Sequence, residues 1–137
     1  MRRLRRFLAV MVGAVVALGV ALFLWLSMTA VSASELPPLK DGDIIFQYSG
    51  SRQSLPILIA SRSVYTHMGI IAVSRAGGPA VLEASNPVKA TPLDEWIGRG
   101  VGQRITIKRD EGLTAAQASG VLAAADALMG KPYDVFF

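Results

Sequence analysis

The sequence predicts a small α+β domain with an antiparallel sheet and flanking helices, carried behind an N-terminal apolar helix. Three observations predict it. An uncharged run from Phe7 to Ser34 follows four arginines at positions 2, 3, 5 and 6. Beyond it, short apolar runs such as "DIIFQY" (43–48) and "HMGIIAV" (67–73) are separated by Asp-Gly, Ser-Gly and Gly-Gly punctuation, the pattern of strands and turns. An alanine-rich segment at 114–130 opens on Thr114 and closes on Gly130, the start and stop signals of a helix.

The 137 residues suit one domain. The apolar run exceeds the ~20 residues that a bilayer-spanning helix needs. It also exceeds the roughly 7–15 residues of a cleavable signal core, although "VSA" at 31–33 places small residues where a peptidase cuts. Residues 1–34 therefore read as an N-terminal membrane anchor or as a signal peptide cut after Ala33. Either way the arginine flank stays in the cytoplasm and the remainder, 35–137, is exported. The domain is expected on the inner (cytoplasmic) membrane, or periplasmic or secreted after cleavage. "RRFL" alone is a weak twin-arginine signal, and the core that follows it is too apolar for one.

Fourteen basic residues less the four leading arginines leave ten, against ten acidic residues. The exported part is formally neutral, so the basic balance is a topology signal and gives no reason to expect a nucleic-acid partner. Cysteine is absent and histidine occurs once, which rules out disulfides and leaves too few ligands for an ordinary zinc site. No metal or cofactor is implied.

After a Pro37-Pro38 linker, "DIIFQY" reads as a strand ended by "SGS" (49–51). "SRQSLPILIASRS" (51–63) reads as a short helix bent or started near Pro56. "HMGIIAV" and "PAVLEAS" (79–85) form a hairpin around "SRAGG". "TPLDEWIGR" (91–99) is predicted as a helix with Thr91 as cap, Pro92 at the first helical position and Asp94 and Glu95 in the first turn. "QRITIKR" (103–109) alternates as a half-buried strand should. The count is roughly four strands.

His67 is the one histidine, at the mouth of an apolar strand. A tight hairpin would set Gly69 opposite Glu83 and bring Glu83 diagonal to His67 on the same face. A slip of one residue would separate them. A carboxylate beside an imidazole fixes its tautomer and stabilises its cation, the base-and-orienter half of a nucleophilic triad. A lone histidine at a strand end is more often a packing residue, and a lone strand glutamate more often faces solvent. The residues by themselves leave both readings open.

"LKDGDIIFQYSGSRQSLPILIASRSVYTHMGIIAV", "AVLEASNPVKATPLDEWIGR" and "GKPYDVFF" resemble the circularly permuted papain-like amidases, the YiiX/YebB-like branch of the NlpC superfamily. In that family "GDIIFQ" leads into the domain, "S-x-Y-[ST]-H-x-G" supplies the histidine, and "V-[LI]-E-A" supplies a glutamate. "G-K-P-Y-D" precedes a tyrosine-cysteine-serine-glutamate stretch whose cysteine is the nucleophile. The resemblance covers 39–137. It implies a cysteine hydrolase in which His67 is the base and Glu83 orients it, acting on a peptide, amide or lipid-ester substrate. No nucleophile lies in this chain, so the domain is expected to be C-terminally incomplete, with its cysteine past Phe137. The alternative is a catalytically inactive, membrane-tethered binding domain that keeps the His–Glu cleft.

Three further residues are cleft candidates. Asp43 could form the cleft floor, although an Asx-type turn explains it as well. Gln47 could donate to an oxyanion, although an outward strand position is the simpler expectation. Tyr65 could line the cleft or pack. Trp96 is expected to anchor the core, and Tyr133 and Asp134 to be structural. Serines 49, 51, 54, 61 and 63 sit in no G-x-S-x-G elbow, which argues against serine catalysis.

Overall fold

A computed structural model describes residues 2–28 and 31–133. The chain divides into two compact units, residues 1–30 and 31–137. In the first, helix α1 spans Arg2–Met28. Its segment Arg3–Trp25 contains an 18-residue window with a mean hydropathy of 2.8. At ~1.5 Å per residue those 23 residues extend about 35 Å, enough to cross a hydrocarbon core of ~30 Å. Residues 3–25 are exposed all round, as an apolar membrane-spanning helix would be outside a bilayer.

The second unit is built on a five-stranded antiparallel sheet. Its strands are β1 (Ile44–Gln47), β2 (His67–Ala72), β3 (Ala80–Glu83), β4 (Lys89–Pro92) and β5 (Ile105–Lys108), in the order β4-β3-β2-β1-β5. The helices are α2 (Ser54–Ser61), α3 (Leu93–Arg99) and α4 (Ala115–Asp126).

The register decides which side chains can meet. Ile45 pairs with Gly69 and Ile107, Ile71 with Val81, and Val81 with Thr91. Directly opposed residues share a face. The odd-numbered residues of all five strands therefore point one way, and α3 lies over that face. Ile45, Ile71 and Val81 from the sheet pack with Leu93, Trp96 and Ile97 from α3 to form the core. Gln47, His67, Glu83 and Thr91 have the same parity and so lie on the same side.

Strand β4 is not among the strands expected from the sequence. Lys89–Pro92 pairs with β3, and the helix starts one residue later, at Leu93. Thr91 consequently is no helix cap; it is a buried strand residue, and Pro92 occupies the cap position. "VKATP" lacks a long apolar run because one face of this edge strand is solvated and Pro92 closes it, a position where a missing N–H costs little. Helix α4 starts as expected. Thr114 Oγ1 accepts from Gln117 N–H (3.3 Å) and Gln117 Oε1 accepts from Thr114 N–H (2.9 Å), a capping box. It ends at Asp126, before Gly130, and buries only Ala118.

Candidate active site

The hairpin β2–β3 has the register that the sequence suggested. Ile70 faces Leu82 and Ile71 faces Val81, so Gly69 stands opposite Glu83. Gly69 has to be glycine. A Cβ there would collide with Val81 Cγ1 and approach Leu82 O to 2.9 Å. The bare backbone lets the glutamate cross diagonally, and His67 Nε2 lies 2.7 Å from Glu83 Oε2.

Glu83 is 2% exposed and would be an expensive buried charge alone. Four groups converge on it. Thr91 Oγ1 donates to Oε1 at 2.5 Å and Arg99 Nη2 to Oε1 at 2.6 Å; Trp96 Nε1 lies 3.2 Å from Oε2, beside the His67 contact. Burial pushes the Glu83 carboxyl up. The hydrogen bonds from His67 and Thr91, with the charge of Arg99, overcome it and hold the group at about 2. An ionised carboxylate is acceptor only, so Nε2 must be the protonated ring nitrogen. The neutral ring then carries its lone pair on Nδ1. Trp96 stacks on the imidazole with centroids 5.8 Å apart and 24° between planes, which holds its orientation.

This pair opens onto a cavity of about 320 Å³. Gln47 borders it one strand from His67, its direct partner in the β1–β2 ladder. The expectation of an outward Gln47 is corrected: it is 1% exposed and belongs to the α3 face by parity. Its Oε1 is buried and has no hydrogen-bond partner among the described residues; it packs against Gly100, where a Cβ would strike that oxygen. Ser49, Ser51 and Thr66 form the next stretch of wall. They are tied together through Ser54: Ser49 Oγ–Ser54 Oγ is 3.0 Å, Ser51 Oγ–Ser54 Oγ 3.1 Å and Ser54 Oγ–Thr66 Oγ1 3.1 Å. These hydroxyls satisfy one another, and none hydrogen-bonds His67. Ser61 Oγ donates to Ile57 O at the end of α2, and Ser63 Oγ accepts from Tyr65 N–H.

Two cleft candidates lie elsewhere. Asp43 sits just before β1, at the opposite end of that strand from Gln47. Arg109 grips it through Nε–Oδ1 and Nη2–Oδ2 contacts of 2.7 Å each, and Lys40 N–H donates to Oδ2 at 2.8 Å. The Arg109 hydrogen bond outweighs burial and holds the Asp43 carboxyl below the ordinary range. Asp43 is a buried clamp between the start of β1 and the end of β5, not a cleft floor. Tyr65 packs on the even-numbered face. Its ring lies 5.8 Å from Phe46, its hydroxyl bonds Thr106 Oγ1, and it lines a separate cavity with Val64 and Val101. Tyr133 lines the His67 cavity, and Asp134 lies outside the described residues.

Thr91, Trp96 and Arg99 are the site residues that sequence reasoning read otherwise or passed over. Thr91 looked like a cap and Trp96 like a core anchor, which it also is. The available signal was spacing: Glu83 and Thr91 stand eight apart around "SNP", a turn that returns a strand to the same face.

Similarity to known proteins agrees with this geometry. Residues 38–137 match the family model described as permuted papain-like amidase enzyme, YaeF/YiiX, C92 family. The uncharacterized protein YiiX of Escherichia coli (strain K12) is 42% identical over 97 residues, which cover 70% of this chain and 48% of that protein. A crystal structure of YiiX from Escherichia coli O157:H7, described as a metalloprotein, superposes with a TM-score of 0.65 at 43% identity, covering 69% of this chain and 53% of the other. The chain thus spans about half the length of these relatives. With its antiparallel sheet, flanking helices and matched motifs, the chain belongs to the permuted papain-like amidase family YaeF/YiiX, C92.

Proposed function

We propose that this domain carries the base and orienting acid of a cysteine amidase, with a thiol supplied from sequence beyond Phe137. The observation that carries the reading is the 2.7 Å His67 Nε2–Glu83 Oε2 contact onto a carboxylate already held ionised by Thr91, Trp96 and Arg99. The base is then Nδ1. It takes the thiol proton, the thiolate attacks the carbonyl carbon, and the negative charge moves to the carbonyl oxygen. As the C–N bond breaks, Nδ1–H protonates the departing nitrogen; water then hydrolyses the thioester by the same proton route. Glu83 keeps its charge throughout and stabilises the imidazolium. Gln47, buried beside His67, is the side-chain amide placed to meet the carbonyl oxygen.

The substrate is a peptide, amide or lipid ester, and α1 serves as a membrane anchor, or as a signal removed after Ala33. A metal of the kind implied for the crystallised YiiX does not fit here. Each Glu83 oxygen already meets two donors, and among the described residues no group of three or more His, Cys, Asp or Glu can hold an ion. The lack of any cysteine in these 137 residues favours one second reading, an inactive membrane-tethered binding domain. Sequencing the coding DNA beyond the Phe137 codon separates the two. A cysteine-containing continuation whose product hydrolyses amides and is stopped by iodoacetamide supports the amidase. A stop codon at that point in several strains supports the binding domain.

A further inference from the structure

We infer that the cavity beside His67 is a carboxylate subsite read by Arg99, so that the amide cleaved there carries a free carboxylate close to its scissile bond. The inference rests on the amidase reading and adds the substrate class.

Arg99 ends α3 with its side chain 40% exposed, and it borders the cavity. Only Nη2 is committed, to Glu83 Oε1; its remaining N–H groups make no hydrogen bond or ion pair among the described residues. A guanidinium with one edge unused is a planar pair of donors that matches a carboxylate. Among the described residues no free anion competes for it: the one acidic residue bordering the cavity is Glu83, whose side chain is 0% exposed and whose oxygens are both occupied. Neutral polar groups make up most of the rest, among them Gln47, Ser49, Ser51 and Asn86, with Ile57 the one large aliphatic side chain.

That lining disfavours a long acyl chain, which would leave polar walls unpaired, and a cationic group, which would face Arg99. It also disfavours a phosphate dianion, since among the described residues no second arginine or lysine borders the cavity. Position completes the case. Arg99 and His67 sit on the two oxygens of one carboxylate, so an anion on Arg99 lies a short amino-acid backbone away from Nδ1.

The test uses the full chain in nanodiscs of uncharged phosphatidylcholine. Labelling with ¹⁵N-histidine gives signals from His67 alone, because the chain has one histidine. N-acetylglycine, N-acetylglycinamide and inorganic phosphate are titrated in turn. The expected result is a saturable shift of the ring signals with N-acetylglycine and none with the other two. Arg99→Lys, which keeps the charge and loses the paired donors, should weaken N-acetylglycine by about tenfold or more. Arg99→Gln should abolish the shift; if it also disturbs the Nε2–H signal of the folded site, the Arg99→Lys titration decides. Equal binding of acid and amide, unchanged affinity in Arg99→Lys, or a shift with phosphate but not N-acetylglycine would each overturn the carboxylate assignment. A wild-type spectrum lacking Nε2–H would overturn the amidase reading itself, whatever the titrations show.

Discussion

Arg99 and His67 hold one carboxylate from opposite oxygens: Arg99 Nη2 is 2.6 Å from Glu83 Oε1, and His67 Nε2 is 2.7 Å from Oε2. The arrangement divides labour. The cation compensates a charge that burial would otherwise neutralise, while the second oxygen remains available to hold the imidazole. Thr91 and Trp96 fill the remaining acceptor positions, so rotating the carboxylate would break several bonds at once.

Thr91 is the removable part of this set. Thr91→Val keeps its shape and deletes the hydroxyl, leaving Glu83 Oε1 with Arg99 alone. A stability loss of about 1–2 kcal/mol is expected in urea unfolding, along with a rise in the Glu83 pKa. Thr91→Ser should recover most of both. Wild-type stability in Thr91→Val would show that the hydroxyl contributes nothing to the charge.

Acid should weaken the fold through Glu83. Its value in the folded chain, about 2, lies below the ordinary 4.5, so ionised Glu83 stabilises the native state. The contribution is complete above about pH 4.5 and drains away as pH falls towards 2. The full effect corresponds to about 3 kcal/mol. Urea unfolding at pH 5.5 and pH 2.5 measures most of it: wild type should lose about 2–3 kcal/mol more than Glu83→Gln does. Equal losses would place the acid sensitivity in other carboxylates.

Gly69 sets the approach of the two strands. Gly69→Ala puts a methyl group against Val81 Cγ1 and Leu82 O, neither of which can move without disturbing the hairpin. Overpacking of this kind costs roughly 1–3 kcal/mol. Thermal unfolding should show the loss, and the His67 ring signals should shift because the diagonal to Glu83 is displaced. An unshifted melting temperature would mean that the hairpin has slack at this point.

Asp43 should matter for stability and not for chemistry. Asp43→Asn leaves Arg109 facing a neutral amide in a partly buried clamp, which should lower the urea midpoint of unfolding. The His67 ring signals should stay where they are, since Asp43 lies at the far end of β1. A shift as large as that of Gly69→Ala would return Asp43 to the site.

Much of the site could be read from the chain, and the failures share a cause. The hairpin register follows from parity and the "SRAGG" turn, and with it the meeting of His67 and Glu83. Thr114 was legible as a cap because the capping box is local. Strand β4 was not legible. "KATP" has no apolar alternation, and its pairing with β3 is a tertiary fact. Losing β4 turned Thr91 from a carboxylate donor into a helix cap. Gln47 failed for a related reason: a polar residue on a strand looks solvent-facing until the helix that covers it is known. Asp43, read as cleft floor or turn, was not legible as a clamp because its partner Arg109 is 66 residues away in the chain. Arg99 carried no signal at all, since an arginine in the last turn of a helix is ordinary.

If Glu83 fixes the tautomer of His67 and leaves Nδ1 as the base, the ¹⁵N spectrum of the histidine-labelled full chain, recorded with the ring neutral, must show it. Wild type should show a protonated Nε2 and an unprotonated Nδ1, with that preference lost in Glu83→Gln. A protonated Nδ1, or a tautomer mixture in wild type unchanged by Glu83→Gln, would contradict it.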